Sequence, residues 1–392
     1  HNYLYHRGPD DFNYLNSSNF YFSHTRLSIL GIDDKNAIQP LSKKNLILLF
    51  NGEIYNYKYL SKILIQNNIL SEYKSDTDVL INYIATFGID KTLQDIDGMF
   101  AFSIYDKKNK NITLVRDRYG EKSIYWTIIK NKLIFSSEIK SILEFTDKEV
   151  NSNSLLEYFN YRGVLGTKTL FKNINELEQG CKVSFNLNNI TKPKYDNYYN
   201  LEDTFKYKEN ISYDKLKEII NENISSTFFS DVKNGLLLSA GIDSNLILSI
   251  LLNKKEELNC YTYANSFQSD ESKQVKEIVN KLKNIKSNKI NHKIVNTKLH
   301  SYLTNAEKIT WYNDEPIQYM NIFALDNLLS NVKNDNCKVL LCGEGADEIF
   351  FGYTRFKNSY DSYKKLQNKN INNINDLIYF GSGITNKIII QN

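Results

Sequence analysis

An α+β layered domain followed by an α/β domain on a doubly wound parallel sheet is the architecture the sequence predicts. Three observations carry it. The first half is dense in short strand patterns broken by two amphipathic stretches. A polar stretch without periodicity follows at 186–212, and from 213 onward helices alternate with short apolar strands. A length of 392 residues exceeds one ordinary core, which agrees with two domains.

In the first half, FYFSHTRLSIL (20–30) and NLILLFNGEIYN (45–56) read as strands, the second running into a turn at Asn51-Gly52. KYLSKILIQN (58–67) and SDTDVLINYIATFG (75–88) carry helical periodicity. In the latter, Ser75 or Asp76 suits the cap and Gly88 the end. MFAFSIYD, the polar turn KKNKN and ITLVRDR form a hairpin, and IYWTIIKNKLIFSSE (124–138) repeats the device. This domain is expected to span 1–195, with a linker at 196–212 inside the polar stretch that holds Pro193.

The second domain is expected over 213–392. YDKLKEIINENISSTF (213–228) is an amphipathic helix, GLLLS a short buried strand and NLILSILLN (245–253) a helix. ELNCYTYANSF (257–267) is a second strand, ESKQVKEIVNKLKN (271–284) a third helix, and KVLLCG (338–343) a late strand. The Asn/Lys-rich stretch 365–376 reads as loop.

Composition narrows the function classes. Hydrophobic content of 41% is that of a soluble globular protein, and no apolar run reaches membrane-spanning length. A net charge of +4, from 49 basic and 45 acidic residues spread along the chain, argues against nucleic acid. The 28 tyrosines are too scattered for a single-strand binding face. Cys181, Cys260, Cys337 and Cys342 show neither metal spacing nor a disulfide framework, so a reducing, cytoplasmic setting is expected. The five histidines form no HxxxH pair, and GSG at 381–383 lacks the rest of a dinucleotide fingerprint.

LLLSAGIDSN (236–245) asks for chemistry. Ser239-Ala240-Gly241 joins an apolar strand to a helix, where ligands collect in open parallel sheets. Small residues let backbone N–H groups approach an anion, and the helix N-terminus adds positive potential. No Gly-Lys pair occurs in the chain, which excludes a Walker loop. The plainer reading, a strand-to-helix turn capped by Asp243 or Ser244, stands beside it. KVLLCGEGADEIFFGY (338–353) adds a second strand and glycine turn, with three acids at 344–348. Acids beside an anion site need a cation, and Mg²⁺ bridging phosphate oxygens with few protein carboxylates is the usual one.

LSAGIDS resembles the pyrophosphate loop of ATP-pyrophosphatase (PP-loop) enzymes, and with CGEGADEIFFGY it resembles the glutamine-hydrolysing asparagine synthetase family. WYNDEPIQ (311–318) resembles that family's acidic-Pro segment and SDES (269–272) its D-E element. The resemblance implies that Ser239, Gly241, Asp243 and Ser244 hold pyrophosphate. It also implies that Leu238 and the Cys342-Gly343 backbone line the nucleotide, that Asp243 and Asp347 bind Mg²⁺, and that Glu344 is the general base. Adenine would lie along YTYANSF. Ala240 and Cys342 depart from the family's glycine and serine. The alanine methyl is tolerable only at negative φ.

HRGPDD (6–11), HTRLSIL (24–30), QPL (39–41), FNGEIYN (50–56), SDTD (75–78), DGMFAFSIYD (97–106) and RDRYGEKSIYW (116–126) occur in that order. The series resembles the class II glutamine amidotransferase domain, an N-terminal-nucleophile (Ntn) hydrolase-like fold. A glutamine site needs a cation for the α-carboxylate, acids for the α-ammonium and donors for the amide oxyanion. Arg26 suits the first, Asp76 and Glu53 the second, Asn51 and the Gly52 N–H the third. The plainer readings are a surface ion pair for Arg26, a hairpin turn for Asn51-Gly52 and a helix cap for Asp76.

The family's nucleophile is an N-terminal cysteine, and none precedes Cys181, which reads as a core residue. A chain opening on His1 is expected to begin partway through a longer protein. As given, it is expected to bind glutamine poorly and hydrolyse none. The family's later lysine- and arginine-bearing segments are also not found before Asn392.

The expected activity is ATP-dependent amidation. Glutamine-derived ammonia would amidate an adenylated carboxylate, most often aspartate to asparagine in this family, releasing AMP and PPi. The alternatives are another acceptor, such as a sugar acid in surface-polysaccharide synthesis, or a catalytically silent nucleotide-binding relative. ATP and Mg²⁺ are the cofactors implied; analogy with the family suggests a homodimer. Asn321, after the acidic-Pro segment, is a candidate for facing the acceptor.

Overall fold

The computed structural model describes residues 2–360, apart from 70–71, 74, 207–209, 255–256, 266–269, 286–288, 298–299 and 359. Ser269, the last two residues of YTYANSF, 365–376 and 381–383 lie outside the described residues.

The first half is built on a six-stranded antiparallel sheet. Its order is Asn189–Asn197, Cys181–Asn186, Asn111–Arg116, Gly98–Asp106, Leu46–Ile54 and Leu41–Lys43. Strand alternation sorts its side chains into two cores. Leu48, Phe50, Ile54, Phe100, Phe102 and Ile104 pack under the helices Tyr57–Gln66 and Asp76–Asp95. Ile47, Ala101, Tyr105, Ile112, Leu114, Val183 and Phe185 face the other way, with Phe22 and Trp126. Phe22 comes from the hairpin Asp11–Asn16/Tyr21–Arg26. Trp126 comes from the sheet of Lys132–Ser136, Tyr125–Ile129 and Asn175–Glu176. This is the layered α+β arrangement expected.

Four local readings are decided or corrected. Asn51-Gly52 is no turn: both lie inside the strand, opposite Ala101 and Phe100. Gly52 (φ +154°) allows this because a β carbon there would lie 2.1 Å from the Met99 carbonyl oxygen. Ser75, not Asp76, caps its helix, its hydroxyl accepting the Asp78 N–H at 3.3 Å. Gly88 (φ 82°, ψ 167°) breaks that helix, and helical structure resumes to Asp95. Within the polar stretch 186–212, Asn189–Asn197 is a strand at the sheet edge, where Pro193 costs no ladder bond.

The second half holds a four-stranded parallel sheet, ordered Lys289–Thr297, Glu257–Asn265, Asn234–Leu237 and Val339–Leu341. Leu236, Leu238, Leu248, Leu251, Leu258, Cys260, Val275 and Val279 form its core, drawn from the sheet and the helices Ile242–Leu252 and Ser272–Ile285. The helices Tyr213–Thr227, His300–Asn313, Asn321–Asn334 and Ala346–Phe350 belong to the same half. The chain runs outward from Asn234–Leu237 to one edge, then returns to place Val339–Leu341 on its other side. The strand order therefore reverses between those two strands, and the crevice at their carboxyl ends is where such sheets bind ligands. Among the described residues, no helix is long and apolar enough to cross a membrane.

Candidate functional site

Two sites stand out, one in each half. In the first, Leu46–Ile54 has a neighbouring strand on one side along its whole length, but on the other side Leu41–Lys43 pairs only with Leu46–Leu48. Alternate residues point their N–H groups to the same edge. On the open edge the Phe50 N–H donates to Gln39 Oε1 (2.5 Å) and the Ile54 N–H to Asp76 Oδ2 (3.1 Å). Gly52 lies between them and turns its N–H the same way. Beside it the Asn51 Nδ2 is buried without a hydrogen-bond partner. A buried amide with nothing to donate to costs stability unless a ligand completes it.

Arg26 ends the strand Tyr21–Arg26 and is buried, not the surface ion-pair residue of the plainer reading. Its Nη2 donates to the carbonyls of Leu30 (3.1 Å) and Gly31 (2.8 Å), which fixes the plane of the guanidinium. Glu53 and Asp76 are buried neighbours. Burial first, and then the Asp76 charge, pushes the Glu53 carboxyl up to about 7, against the pull of Lys122. Burial pushes Asp76 up to about 6, although the N–H groups of Ile54 and Thr77 oppose it. Two acids held near neutrality wait for a cation.

This sets a pH dependence. Both folded-state pKa values lie above the ordinary ones, so the folded chain holds protons that the unfolded chain has released. Stability therefore falls as pH rises from about 4.5 to about 7. An ammonium bound beside these acids restores their charged forms. Binding of an amino acid's ammonium here is expected to release about one proton near pH 6.5 and to tighten between about pH 5.5 and 7.5. Calorimetry in buffers of different ionisation enthalpy counts that proton. A count of zero, or one untouched by Glu53→Gln, contradicts the assignment.

Residues to which the motifs gave no role support the site. Asp117 is almost fully buried and accepts from the N–H groups of Tyr119 (3.0 Å), Glu121 (3.0 Å) and Lys122 (2.9 Å), shaping the RDRYGEKSIYW loop. That loop brings Lys122 to Glu53. Cys181 is a core thiol, as expected. It donates to Asn197 Oδ1 at 2.9 Å and is pushed up to about 11, chiefly by burial.

The second site is the crevice at the strand reversal. Leu236 pairs with Leu341, so the loops following both strands leave the sheet side by side. Their contact is close. A β carbon on Gly343 would lie 3.1 Å from Asp243 Cβ and 3.3 Å from the Ser244 nitrogen. Gly241 precedes the helix Ile242–Leu252, whose N-terminus opens on the loop. The loop is held by its own hydroxyls. Ser239 Oγ meets Ser244 Oγ at 3.0 Å and accepts the Gly241 N–H at 3.1 Å, while the Ala240 N–H donates to Glu271 Oε2 at 3.1 Å. Glu271 belongs to SDES, the one signal in the sequence that pointed to it. Ala240 has negative φ and its methyl packs against the core, so this departure leaves the loop intact.

Leu238 is buried in the core; its N–H donates to the Tyr261 carbonyl (2.8 Å) and its carbonyl accepts from Thr262 Oγ1 (2.6 Å). It contributes by anchoring the loop. Cys342 and Glu344 are exposed, and Asp243 and Asp347 are half-buried. Gly352 leaves the space Asp347 uses, since a β carbon there would lie 1.9 Å from Asp347 Oδ1. Asn321 opens its helix, exposed. Among the described residues no group of three or more His, Cys, Asp or Glu could hold a metal by itself. Asp243 and Asp347 each lie in the first turn of a helix, Ile242–Leu252 and Ala346–Phe350.

Comparison with known proteins matches each half of the chain to a family. Residues 1–198 match the family described as glutamine amidotransferase domain, and residues 215–377 match asparagine synthase. A glutamine-hydrolysing asparagine synthetase of Bacillus subtilis is 31% identical over 372 residues, covering 89% of this chain and 48% of the relative. A putative one of Methanocaldococcus jannaschii is 30% identical over 394 residues, covering 92% and 73%. An amidase of Penicillium rubens is 25% identical over 381 residues, covering 90% and 54%. The chain thus spans from about half to about three-quarters of these relatives' lengths. With an antiparallel layered half that matches the amidotransferase domain and a parallel-sheet half that matches the synthase, the chain belongs to the family of glutamine-hydrolysing asparagine synthetases.

Proposed function

We propose that the full-length protein is an ATP-dependent amidotransferase that converts a carboxylate to an amide with ammonia from glutamine, aspartate to asparagine being the leading pair. The contact of Gly343 with Asp243 and Ser244 carries this reading, because it lets one triphosphate touch both loops. In the first domain Arg26 would clamp the glutamine α-carboxylate, Glu53 and Asp76 would hold its ammonium, and Asn51 Nδ2 with the Gly52 N–H would receive the amide oxyanion.

In the second domain Ser239, Gly241, Asp243 and Ser244 would hold the pyrophosphate, and Leu238 with the Cys342-Gly343 backbone would line the nucleotide. An acceptor carboxylate oxygen bonds to the α phosphorus as the α–β bridging bond breaks and pyrophosphate leaves. Ammonia then bonds to the acyl carbon, the carbon–oxygen bond to AMP breaks, and Glu344 takes the surplus proton. Asp243 and Asp347 would hold Mg²⁺, which when bound neutralises charge on the departing pyrophosphate. The connector between the domains would be 196–212, a reading supported by the end of the first sheet's last strand at Asn197.

The similarity to an amidase favours, as a second reading, an acceptor other than aspartate. The test is PPi release by full-length protein with ATP and ammonia, screening aspartate against other carboxylates. Stimulation by aspartate alone supports the first reading and stimulation by another acid the second. Release stimulated by none rejects both.

A further inference from the structure

Between the two halves lies a chain of buried charges that neither reaction uses. Lys140 Nζ sits 2.5 Å from Glu138 Oε2 and 3.0 Å from Asp314 Oδ1, and all three side chains are less than one-tenth exposed. The other Glu138 oxygen meets His6 Nε2 and Arg7 Nη1, both at 3.0 Å. Asp314 also accepts the N–H groups of Ile139 (2.7 Å) and Lys140 (3.2 Å), so it caps the short helix Ile139–Ile142 of the other half. Trp311 lies over Lys140, its ring centroid 4.8 Å from Nζ, and packs against the His6 ring at 5.3 Å. Burial pushes the Glu138 carboxyl up, but Lys140 and Arg7 more than offset it and hold the group ionised.

The ends of this chain matter. His6 and Arg7 open the HRGPDD segment, and Arg7 and Glu53 both act on the charge of Lys122. Asp314 begins the Asp-Glu-Pro run of the second half, where Tyr158 of the first half donates to the Pro316 carbonyl at 2.8 Å. Exposed ion pairs tolerate many geometries, whereas a buried one is favourable only when every partner is in place. Pro9 bridges Arg26 and the Asp10 N–H donates to the Arg26 carbonyl at 3.1 Å, so the segment that holds His6 and Arg7 against Glu138 is anchored on the first site.

We propose that Lys140 is a positioning residue coupling the two sites. Through Glu138 and Arg7 on one side and Asp314 on the other, it ties glutamine binding to the placement of the Asp314–Pro316 segment. The inference rests on the amidotransferase reading and adds the link between its two half-reactions.

Its test compares full-length wild type with Lys140→Met, which keeps the stem and removes the charge, and Lys140→Arg. With glutamine, ATP and aspartate, glutamate formed per PPi released is expected near unity in wild type. In Lys140→Met the ratio is expected to rise about fivefold or more. PPi release driven by added ammonia stays close to wild type, and Lys140→Arg restores the ratio. An unchanged ratio in Lys140→Met overturns the inference, as does a parallel loss of both half-reactions, which would mark a merely structural lysine. A second readout is independent of turnover. The ¹⁹F signal of 5-fluorotryptophan at position 311, assigned with Trp311→Phe, is expected to shift when glutamine is added to wild type and to stay still in Lys140→Met. Wild type that releases no PPi but shows this shift rejects the function while keeping the link. A wild-type Trp311 signal unmoved by glutamine overturns the link even where PPi is released.

Discussion

Gly343→Val is expected to reduce ATP-dependent PPi release by about 100-fold, since misplacing reacting groups by about 1 Å costs that much. Gly343 has no room on the side facing the other loop, with Asp243 Cβ and the Ser244 nitrogen within 3.1–3.3 Å of where a β carbon would sit. Alanine asks the neighbour to move by a few tenths of an ångström; valine adds two methyl groups with nowhere to go. The loop cannot simply yield, because the Ser244 hydroxyl is tied to Ser239 and to the Gly241 carbonyl (3.2 Å). Moving Ser244 therefore opens the cradle. Gly343→Ala is expected to fall between, with a loss of about tenfold. PPi release with ATP and ammonia measures both variants. Glutamine affinity should match wild type, which shows that the first half is intact. Full activity in Gly343→Val means that the two loops do not share one triphosphate.

Arg26→Ala is expected to weaken glutamine binding by about 30- to 1,000-fold, the range for removing one partner of a buried charged contact. The reason is geometric as well as electrostatic. With Nη2 anchored on the Leu30 and Gly31 carbonyls, the guanidinium plane is fixed and Nη1 and Nε are left to donate to a carboxylate. Arg26→Lys keeps the charge and loses the anchored planar donors, and should recover less than about a tenth of the lost affinity. Ammonia-driven PPi release is the control, because it bypasses the glutamine site. Calorimetric titration with glutamine gives the affinity. An Arg26→Ala protein that binds glutamine as wild type does removes Arg26 from the site.

Elements with one strong period are legible in the amino-acid sequence. The hairpins around 107–111 and 130–131, the helices around 58–67 and 213–228, and the alternation from 235 onward all appear where periodicity placed them. Less legible is Lys289–Thr297, an edge strand whose alternating lysines and asparagines imitate a loop. Asn189–Asn197 escapes for the same reason: only Ile190 along it is fully buried, so the hydrophobic signal of a strand is missing. Asn51-Gly52 misleads in the opposite sense. The pair has the composition of a turn, yet the glycine serves a close approach to Met99 rather than a reversal.

Chemistry carried by local motifs was decided by the sequence, since a glycine loop before a helix or an arginine beside acids constrains itself over a few residues. Together with the family resemblance, that nominated Arg26, Asn51, Glu53, Asp76, Ser239, Asp243, Glu344 and Asp347. Everything that depends on neighbours distant in the chain was decided by folding. Folding laid Gly343 against Asp243, exposed the strand edge at Gly52, left Asn51 Nδ2 without a partner and ran a buried charge chain from Arg7 through Lys140 to Asp314. Hydrogen bonds and ion pairs act over a few ångströms of space, and no pattern along one strand of sequence records which residues, hundreds of positions apart, close that distance.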